Sequence, residues 1–195
     1  MFNKVLNKMF KKVFFIFSIF LISACANQPT EIKLQPQVVN IQSQVYQTQS
    51  AKISVADNRH SGHLVEVLTN NEESKLIKST KPLKSVLNSQ FRKELTTQGL
   101  SFNKDAAVSL QFNVERARTY INQDVFDYRA NTIIKLKVNV ENPKQTLSKT
   151  FTLRATSRGP LTADIDEIQQ DFNVQLAKII IQVLEDEQLQ NFIKG

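Results

Sequence analysis

The sequence predicts an α+β domain in which an antiparallel sheet of about four to five strands is covered on one face by a long C-terminal helix and a shorter helix. Residues 108–115, 126–140 and 147–155 alternate apolar with polar residues, which is typical of antiparallel strands with one buried face. Residues 80–99 and 164–187 repeat apolar side chains at helical spacing. The resulting order, ββαβββα, places consecutive strands together and favours the α+β class.

Two short strands are predicted before the first helix. Residues 52–57 alternate, with Ile53 and Val55 on one side, and residues 63–68 form a weaker candidate. The polar residues 70–73 that follow predict a turn.

The first helix is predicted to begin near Thr80, with Pro82 in its first turn and Gly99 as the glycine that ends it. Its apolar residues recur every four positions, at Leu83, Leu87, Phe91 and Leu95. This spacing predicts one buried helix face.

The three alternating runs are predicted to be neighbouring strands, and residues 141–144 are short enough to connect the last two as a hairpin. The long helix then begins at Asp164, with Glu167 three residues on in a capping-box arrangement. Its buried stripe consists of Ile165, Ile168, Phe172, Leu176, Ile179, Ile180 and Val183. We expect Leu189, Phe192 and Ile193 to form a short terminal turn against the domain.

The N-terminus has the composition of a secretory signal peptide. Four lysines precede an apolar run at residues 13–22, and the small residues Ser23 and Ala24 follow it. The run is shorter than the roughly 20 apolar residues of a membrane-spanning helix. Residues 1–24 are therefore predicted to be a cleaved signal rather than a transmembrane anchor.

Ile22-Ser23-Ala24-Cys25 resembles the lipobox of bacterial lipoproteins, in which the cysteine is acylated and becomes the new N-terminus. Bacterial lipoproteins typically have three acyl chains, such as palmitate, and several chains hold a protein stably on a membrane where one does not. Ala26, in the place of an aspartate, predicts sorting to the outer membrane, facing the periplasm. The alternative is an ordinary signal peptide that leaves Cys25 as a free thiol.

The chain after the signal is predicted to have two parts. Residues 25–50 contain the lipidated N-terminus and a segment rich in Gln, Ser and Thr, which is typical of an extended tether. Residues 51–195 form the single periplasmic domain. Without the four signal lysines the net charge falls from +7 to +3, which does not favour a nucleic-acid-binding domain.

The sequence does not favour catalysis, a metal or a cofactor. His60 and His63 are the only histidines, while zinc needs three or four ligands; we expect both in a solvated loop. The few glycines are scattered and form no phosphate-binding loop. The acidic cluster at residues 164–167 is explained by helix capping. Two carboxylates that meet in space, as in glycoside hydrolysis, remain an open alternative.

The outward face of the sheet is the candidate binding surface. Lys135, Lys137 and Arg154 are predicted to point away from the helices, where they could bind an envelope protein or the anionic phosphates of an envelope polymer. Four more arginines are predicted towards the strand ends of this face: Arg116, Arg118, Arg129 and Arg158. A merely solvated face is the alternative. Asp57 and Arg59, after the first strand, could form a local ion pair.

Short motifs along the chain resemble the YajG-type uncharacterised outer-membrane lipoproteins of Gram-negative bacteria. The residues concerned are Cys25-Ala26, Pro29-Thr30, Ile32, Leu34, Pro36, Asp57, Arg59, Gly99, Leu189 and Phe192-Ile193. The resemblance implies a small lipoprotein with a periplasmic α+β domain and no assigned catalytic residues. His60 and His63 are not part of the pattern.

These observations predict a membrane-anchored, non-catalytic binding or assembly module of the cell envelope. A small-ligand or lipid carrier is an alternative that needs an apolar cavity between the long helix and the sheet. An enzyme acting on peptidoglycan is a second alternative, which needs two converging carboxylates in a cleft.

Overall fold

The structure, a computed structural model, describes residues 29–39, 41–70 and 72–195. The predicted signal peptide, Cys25 and Ala26 lie outside these residues, so their assignments remain predictions. None of the helices in the described ranges is long and apolar enough to cross a membrane.

The described residues form eight strands and three helices. The strands are β1 (Glu31–Ile32), β2 (Ser50–Asp57), β3 (Val65–Thr69), β4 (Lys75–Ser79), β5 (Ser101–Phe102), β6 (Val108–Gln123), β7 (Asp127–Glu141) and β8 (Thr146–Pro160). The helices are α1 (Leu83–Thr97), α2 (Ile165–Leu184) and α3 (Glu187–Lys194).

β6 is the central strand of the sheet. One of its edges pairs antiparallel with β7, which in turn pairs antiparallel with β8. The other edge is shared, because β2 pairs parallel with residues 108–114 and β3 pairs parallel with residues 119–123. The short strands extend this side: β5 is parallel to β2, β4 is antiparallel to β3, and β1 is parallel to β4.

The predicted α+β class is confirmed, but the antiparallel sheet of four to five strands and the order ββαβββα are wrong. The sheet is mixed because β4 and α1 return the chain to the end where β2 begins, so that β6 runs parallel to β2 and β3. The sequence does not predict β4 and β5, which have five and two residues. So few residues do not establish a period of two.

The helix ends follow the predicted signals. α1 begins after Pro82 and is followed by Gly99, whose φ of 88° lies in the left-handed region that favours glycine. α2 begins after Asp164, whose carboxylate accepts a hydrogen bond of 2.8 Å from the backbone N–H of Asp166. The predicted terminal turn is the eight-residue helix α3.

The helices pack on one face of the sheet. α1 contacts β2, α2 contacts β7 and β8, and α3 contacts β7. The cavity between the two C-terminal helices and the sheet measures only about 10 Å³, which is close to the minimum for one water molecule. Its walls include Phe112, Val138 and Leu184. Among the described residues this interface is a packed core, without a cavity of the size that a carrier needs.

The segment before β2 packs against the domain, in contrast to the extended tether predicted for residues 25–50. Ile32, Leu34 and Tyr46 are buried in the core. The backbone N–H of Gln35 also donates a hydrogen bond of 2.7 Å to Oδ1 of Asn173 on α2. Burial of apolar side chains at alternate positions therefore attaches much of this segment to the sheet and α2.

Candidate binding groove on the uncovered sheet face

The face of β6, β7 and β8 opposite the helices is where the structure places Lys135, Lys137 and Arg154. On β7 the even-numbered residues from Ala130 to Val140 are buried against the helices. The odd-numbered residues, Lys135 and Lys137 among them, therefore point to the other side. Arg154 lies opposite Ile133 in the β7–β8 register and shares that side.

A β-bulge in β6 shapes this face. The register with β7 shifts between Val114 and Arg116, which leaves Glu115 as the extra residue. Up to Val114 the even-numbered residues face the helices, whereas beyond the bulge Ala117 and Ile121 do so. The bulge thereby turns Arg116 and Arg118 to the uncovered face.

The loop between β2 and β3, residues 58–64, lies beside the bulge and is held by Arg59. The guanidinium group of Arg59 donates hydrogen bonds of 2.8 and 2.7 Å to the two carboxylate oxygens of Asp57. It also donates to the carbonyl oxygens of Ala117 and His63, at 3.2 and 3.3 Å. The predicted Asp57–Arg59 ion pair is confirmed, and its arginine side chain is only 7% exposed.

The environment of Asp57 acts on its pKa in two directions. Partial burial raises the pKa of this carboxyl, whereas the hydrogen bonds and positive charge of Arg59 lower it. The arginine dominates, so the pKa lies below the ordinary value for aspartate. Asp57 is therefore a structural anion that holds Arg59.

The two histidines of the loop have different environments. His60 is exposed, as predicted, but His63 is buried, so the expectation of a solvated side chain is wrong for His63. Its Nδ1 contacts the hydroxyl of Ser61, and its Nε2 lies 3.4 Å from Oε2 of Glu66. Within the described ranges no group of three or more His, Cys, Asp or Glu could hold a metal ion.

The bulge and the loop enclose a cavity of about 520 Å³ on the uncovered face, which we call the cationic groove. It is lined by Arg116, Arg118, Lys135, Thr152 and Arg154, with Arg59 and its loop at one side and Ile133 as a buried apolar residue. Lys137 lies on the same sheet face outside the groove. The structure thus brings together two of the three predicted cations.

The cations of the groove differ in their partners. Nζ of Lys135 lies 2.8 Å from Oε2 of Glu115, and Nη1 of Arg118 lies 3.2 Å from Oε2 of Glu66. Arg116 and Arg154 have no carboxylate partner within the described residues. Their guanidinium groups are therefore available to carboxylate or phosphate oxygens, which they can bind in bidentate geometry.

The carboxylates of the groove do not form the pair that glycoside hydrolysis needs. Glu115 is the one acidic residue among the described residues that line the cavity, and it is engaged by Lys135. Glu66 is not one of the lining residues and is engaged by Arg118 and His63. The geometry is suited to binding an anion.

The sequence predicts Arg116 and Arg118 towards the strand ends of the outward face, and it does not predict that they and Glu115 line one groove. The signal for them is the change of apolar positions from even numbers before Glu115 to odd numbers after it, which marks a bulge rather than the end of a strand. The contribution of Arg59 depends on contacts distant in sequence and has no comparable local signal.

The sequence profile of a family described as uncharacterized lipoprotein matches residues 36–194. Two Escherichia coli proteins, both named uncharacterized lipoprotein YajG and from strains K12 and O6:H1, are each 24% identical to this chain over 191 residues. Those alignments cover 95% of this chain and 98% of each relative.

The fold is similar to the crystal structure of a Xanthomonas campestris protein. The TM-score is 0.62 at 14% sequence identity, over 84% of this chain and 97% of the other. At this identity the likeness concerns the fold alone.

Proposed function

Because the chain belongs to the family of uncharacterized lipoproteins, we propose that it is a lipid-anchored, non-catalytic binding or assembly module on the periplasmic face of the outer membrane. In this proposal residues 1–24 are the signal peptide, Cys25 is the lipid attachment site, and Ala26 directs sorting. The support is the lipobox, together with relatives named as lipoproteins that align over 98% of their length.

The anchor is tested by Cys25→Ser in cells supplied with radiolabelled palmitate. We expect loss of label and accumulation of the uncleaved precursor, because the thiol that receives the lipid is gone. Ala26→Asp is the matched variant for sorting: it should retain the label but move the protein to the inner-membrane fraction. A Cys25→Ser protein that is still processed and labelled would refute the lipid attachment, and an unmoved Ala26→Asp protein would refute the sorting role.

The molecular role that we propose is recognition of an anionic envelope partner by the cationic groove. The observation in its favour is that Arg116 and Arg154 lie in one cavity without a carboxylate partner in the described part of the chain. Carboxylates of an envelope protein and phosphates of an anionic polymer share the chemistry that guanidinium groups bind. Lys135 adds positive charge, which Glu115 partly offsets.

This role is tested by photo-crosslinking in cells from a reactive amino acid placed at Thr152, an exposed groove residue. The double variant Arg116→Glu/Arg154→Glu should abolish the crosslinked species seen with the native groove, because it replaces both free cations with anions. Mass spectrometry of the adducts distinguishes a protein from a polymer.

The control for the groove is Lys137→Glu, which changes the charge of the same face outside the cavity. We expect it to leave the crosslinking yield almost unchanged. An undiminished yield in the double variant would mean that the face is only solvated.

A further inference from the structure

Three large apolar side chains are exposed together at one end of the sheet. Val125 and Phe126 occupy the β6–β7 turn and are 74% and 82% exposed, and Leu161, directly after β8, is 63% exposed. We call these three residues the apolar tip. Contiguous exposed apolar surface of this kind marks interaction sites, unlike scattered single residues.

The tip is held in place by hydrogen bonds. The backbone N–H of Asp124 donates to the carbonyl of Asp127 at 2.9 Å, and the N–H of Leu161 donates to the carbonyl of Phe126 at 2.8 Å. Leu161 also has a φ of 59°, a left-handed conformation that costs free energy for a residue other than glycine. The backbone therefore holds Leu161 beside the turn with its side chain exposed.

Two arginines lie behind the tip on the uncovered face. Arg129 and Arg158 are directly opposite each other in the β7–β8 register, an arrangement in which like charges repel. Neither has a carboxylate partner within the described ranges. Each is three residues from the tip, about 10 Å along its strand. Asp124 and Asp127 flank the turn itself. The tip would therefore bind a membrane through its apolar side chains and not through a general positive charge.

The start of the described chain points to the same end of the sheet. β1 is parallel to β4, with Glu31 opposite Lys78. β4 begins at Lys75, which lies opposite Val67, two residues before the end of β3. The last residue of β3, Thr69, pairs with Gln123, the last residue of β6 before the tip. The chain that precedes β1 therefore approaches from the end of the sheet that bears the apolar tip.

The distance from this entry to the anchor is short. Three residues lie between Cys25 and Pro29, and the four Cα-to-Cα steps that join them span at most about 14 Å when fully extended. A lipidated Cys25 therefore lies within about 14 Å of Pro29. A linker that continues the direction of β1 places it towards the end of the sheet that bears the apolar tip, and so brings that end towards the bilayer surface. A second membrane contact at that end would need little affinity of its own, because the anchor supplies a high effective concentration.

We propose that the apolar tip inserts into the bilayer interface and that Arg129 and Arg158 bind lipid phosphates there. This inference rests on the proposed lipid attachment at Cys25. The two arginines lie about 10 Å from the tip along their strands. This distance agrees with the depth to which interfacial segments bury apolar side chains, about 5–10 Å into the headgroup and acyl boundary. The domain would then have a fixed orientation on the membrane.

The test uses the absence of tryptophan from the sequence. Phe126→Trp creates a single fluorophore at the tip, and Lys144→Trp creates one in the β7–β8 turn at the opposite end of the sheet. Each lipidated protein is reconstituted in vesicles of phosphatidylethanolamine and phosphatidylglycerol, with and without brominated acyl chains. We expect a blue-shifted emission that brominated lipid quenches for Phe126→Trp and neither effect for Lys144→Trp.

A second variant tests the arginines. Adding Arg129→Gln and Arg158→Gln to Phe126→Trp should shift the emission back to the red and reduce the quenching, although the anchor is intact. Unchanged emission would overturn the role of the arginines.

The remaining outcomes distinguish the tip from the anchor. The mass of the Cys25 peptide is measured first: a peptide without lipid overturns the anchor and, with it, this orientation. A lipidated protein whose Phe126→Trp emission matches that of Lys144→Trp overturns the tip proposal alone. Blue-shifted emission that brominated lipid does not quench also overturns it, because another protein, such as a second copy, then covers the tip.

Discussion

Arg59 stabilises the gap between β2 and β3, the two strands that share one edge of β6. β2 ends at Asp57 and β3 begins at Val65, and between them the guanidinium group binds the Asp57 carboxylate and the carbonyls of Ala117 and His63. A nearly buried arginine is tolerated because these acceptors replace the water that it loses. Arg59 therefore fills the space between β2 and β3 along the edge of β6, and it forms one wall of the groove.

Asp57→Asn should lower the free energy of unfolding by about 2 kcal/mol at neutral pH, because it leaves the buried guanidinium without its anion. The pKa of Asp57 is lowered in the folded protein. Its contribution is therefore fully present above the unfolded pKa, about 3.9, and is lost as the pH falls through the folded pKa. Urea unfolding at pH 6 and at pH values below 4 should show the difference between native and variant shrinking in acid.

Asp105→Asn is the matched control for Asp57, because Asp105 lies in an exposed turn and its side chain has no charged partner in the described part of the chain. We expect a change within about 0.5 kcal/mol. A native–variant difference for Asp57→Asn that does not depend on pH would contradict the assigned ion pair.

Among the elements, β6 differs most from its sequence pattern. The alternation predicts a strand over residues 108–115, whereas the structure continues it to Gln123. The apolar positions change from even to odd after Glu115, so a strict period of two ends there although the hydrogen bonding to β7 continues. The same change determines that Arg116 and Arg118 line the groove, which sequence reasoning based on a regular strand could not show.

Deletion of Glu115 should be tolerated better than deletion of Arg118. Without Glu115 the register with β7 becomes continuous, because Val114 and Arg116 already oppose Leu136 and Lys135. Without Arg118 the following residues of β6 change face, and Ile121 turns away from the core. Urea unfolding should show a cooperative transition for the Glu115 deletion. The Arg118 deletion should have a much lower free energy of unfolding. Equal losses of stability would contradict the bulge assignment.

At the scale of the whole molecule, the features predicted correctly are those with local signals. Gly99 and Asp164 mark helix ends by their own conformational and capping preferences, and the long strands have many alternating residues. β2 and β3 pair in parallel with β6 because α1 brings the chain back to the end of the sheet where β2 begins. No local sequence pattern encodes this path. Burial of Ile32 and Leu34 likewise depends on β4 and α2, far along the sequence.

Ile32→Ala tests whether the segment before β2 is part of the folded domain. Ile32 is fully buried, so its truncation should lower the free energy of unfolding by about 2–4 kcal/mol. Val39→Ala is the control in the same segment, since Val39 is 60% exposed, and should cost less than about 0.5 kcal/mol. Denaturant unfolding measures both, and a near-neutral Ile32→Ala would mean that the segment is dispensable.

The burial of Ile32, Leu34 and Tyr46 in the core also limits the space in which the protein can meet a partner. A free segment from residue 25 to residue 50 would extend up to about 85 Å and could carry the domain far into the periplasm. With the chain attached from Glu31 of β1 onward, at most about 21 Å separates the proposed anchor from the folded protein. A partner of the cationic groove must therefore come to the membrane surface or be located there.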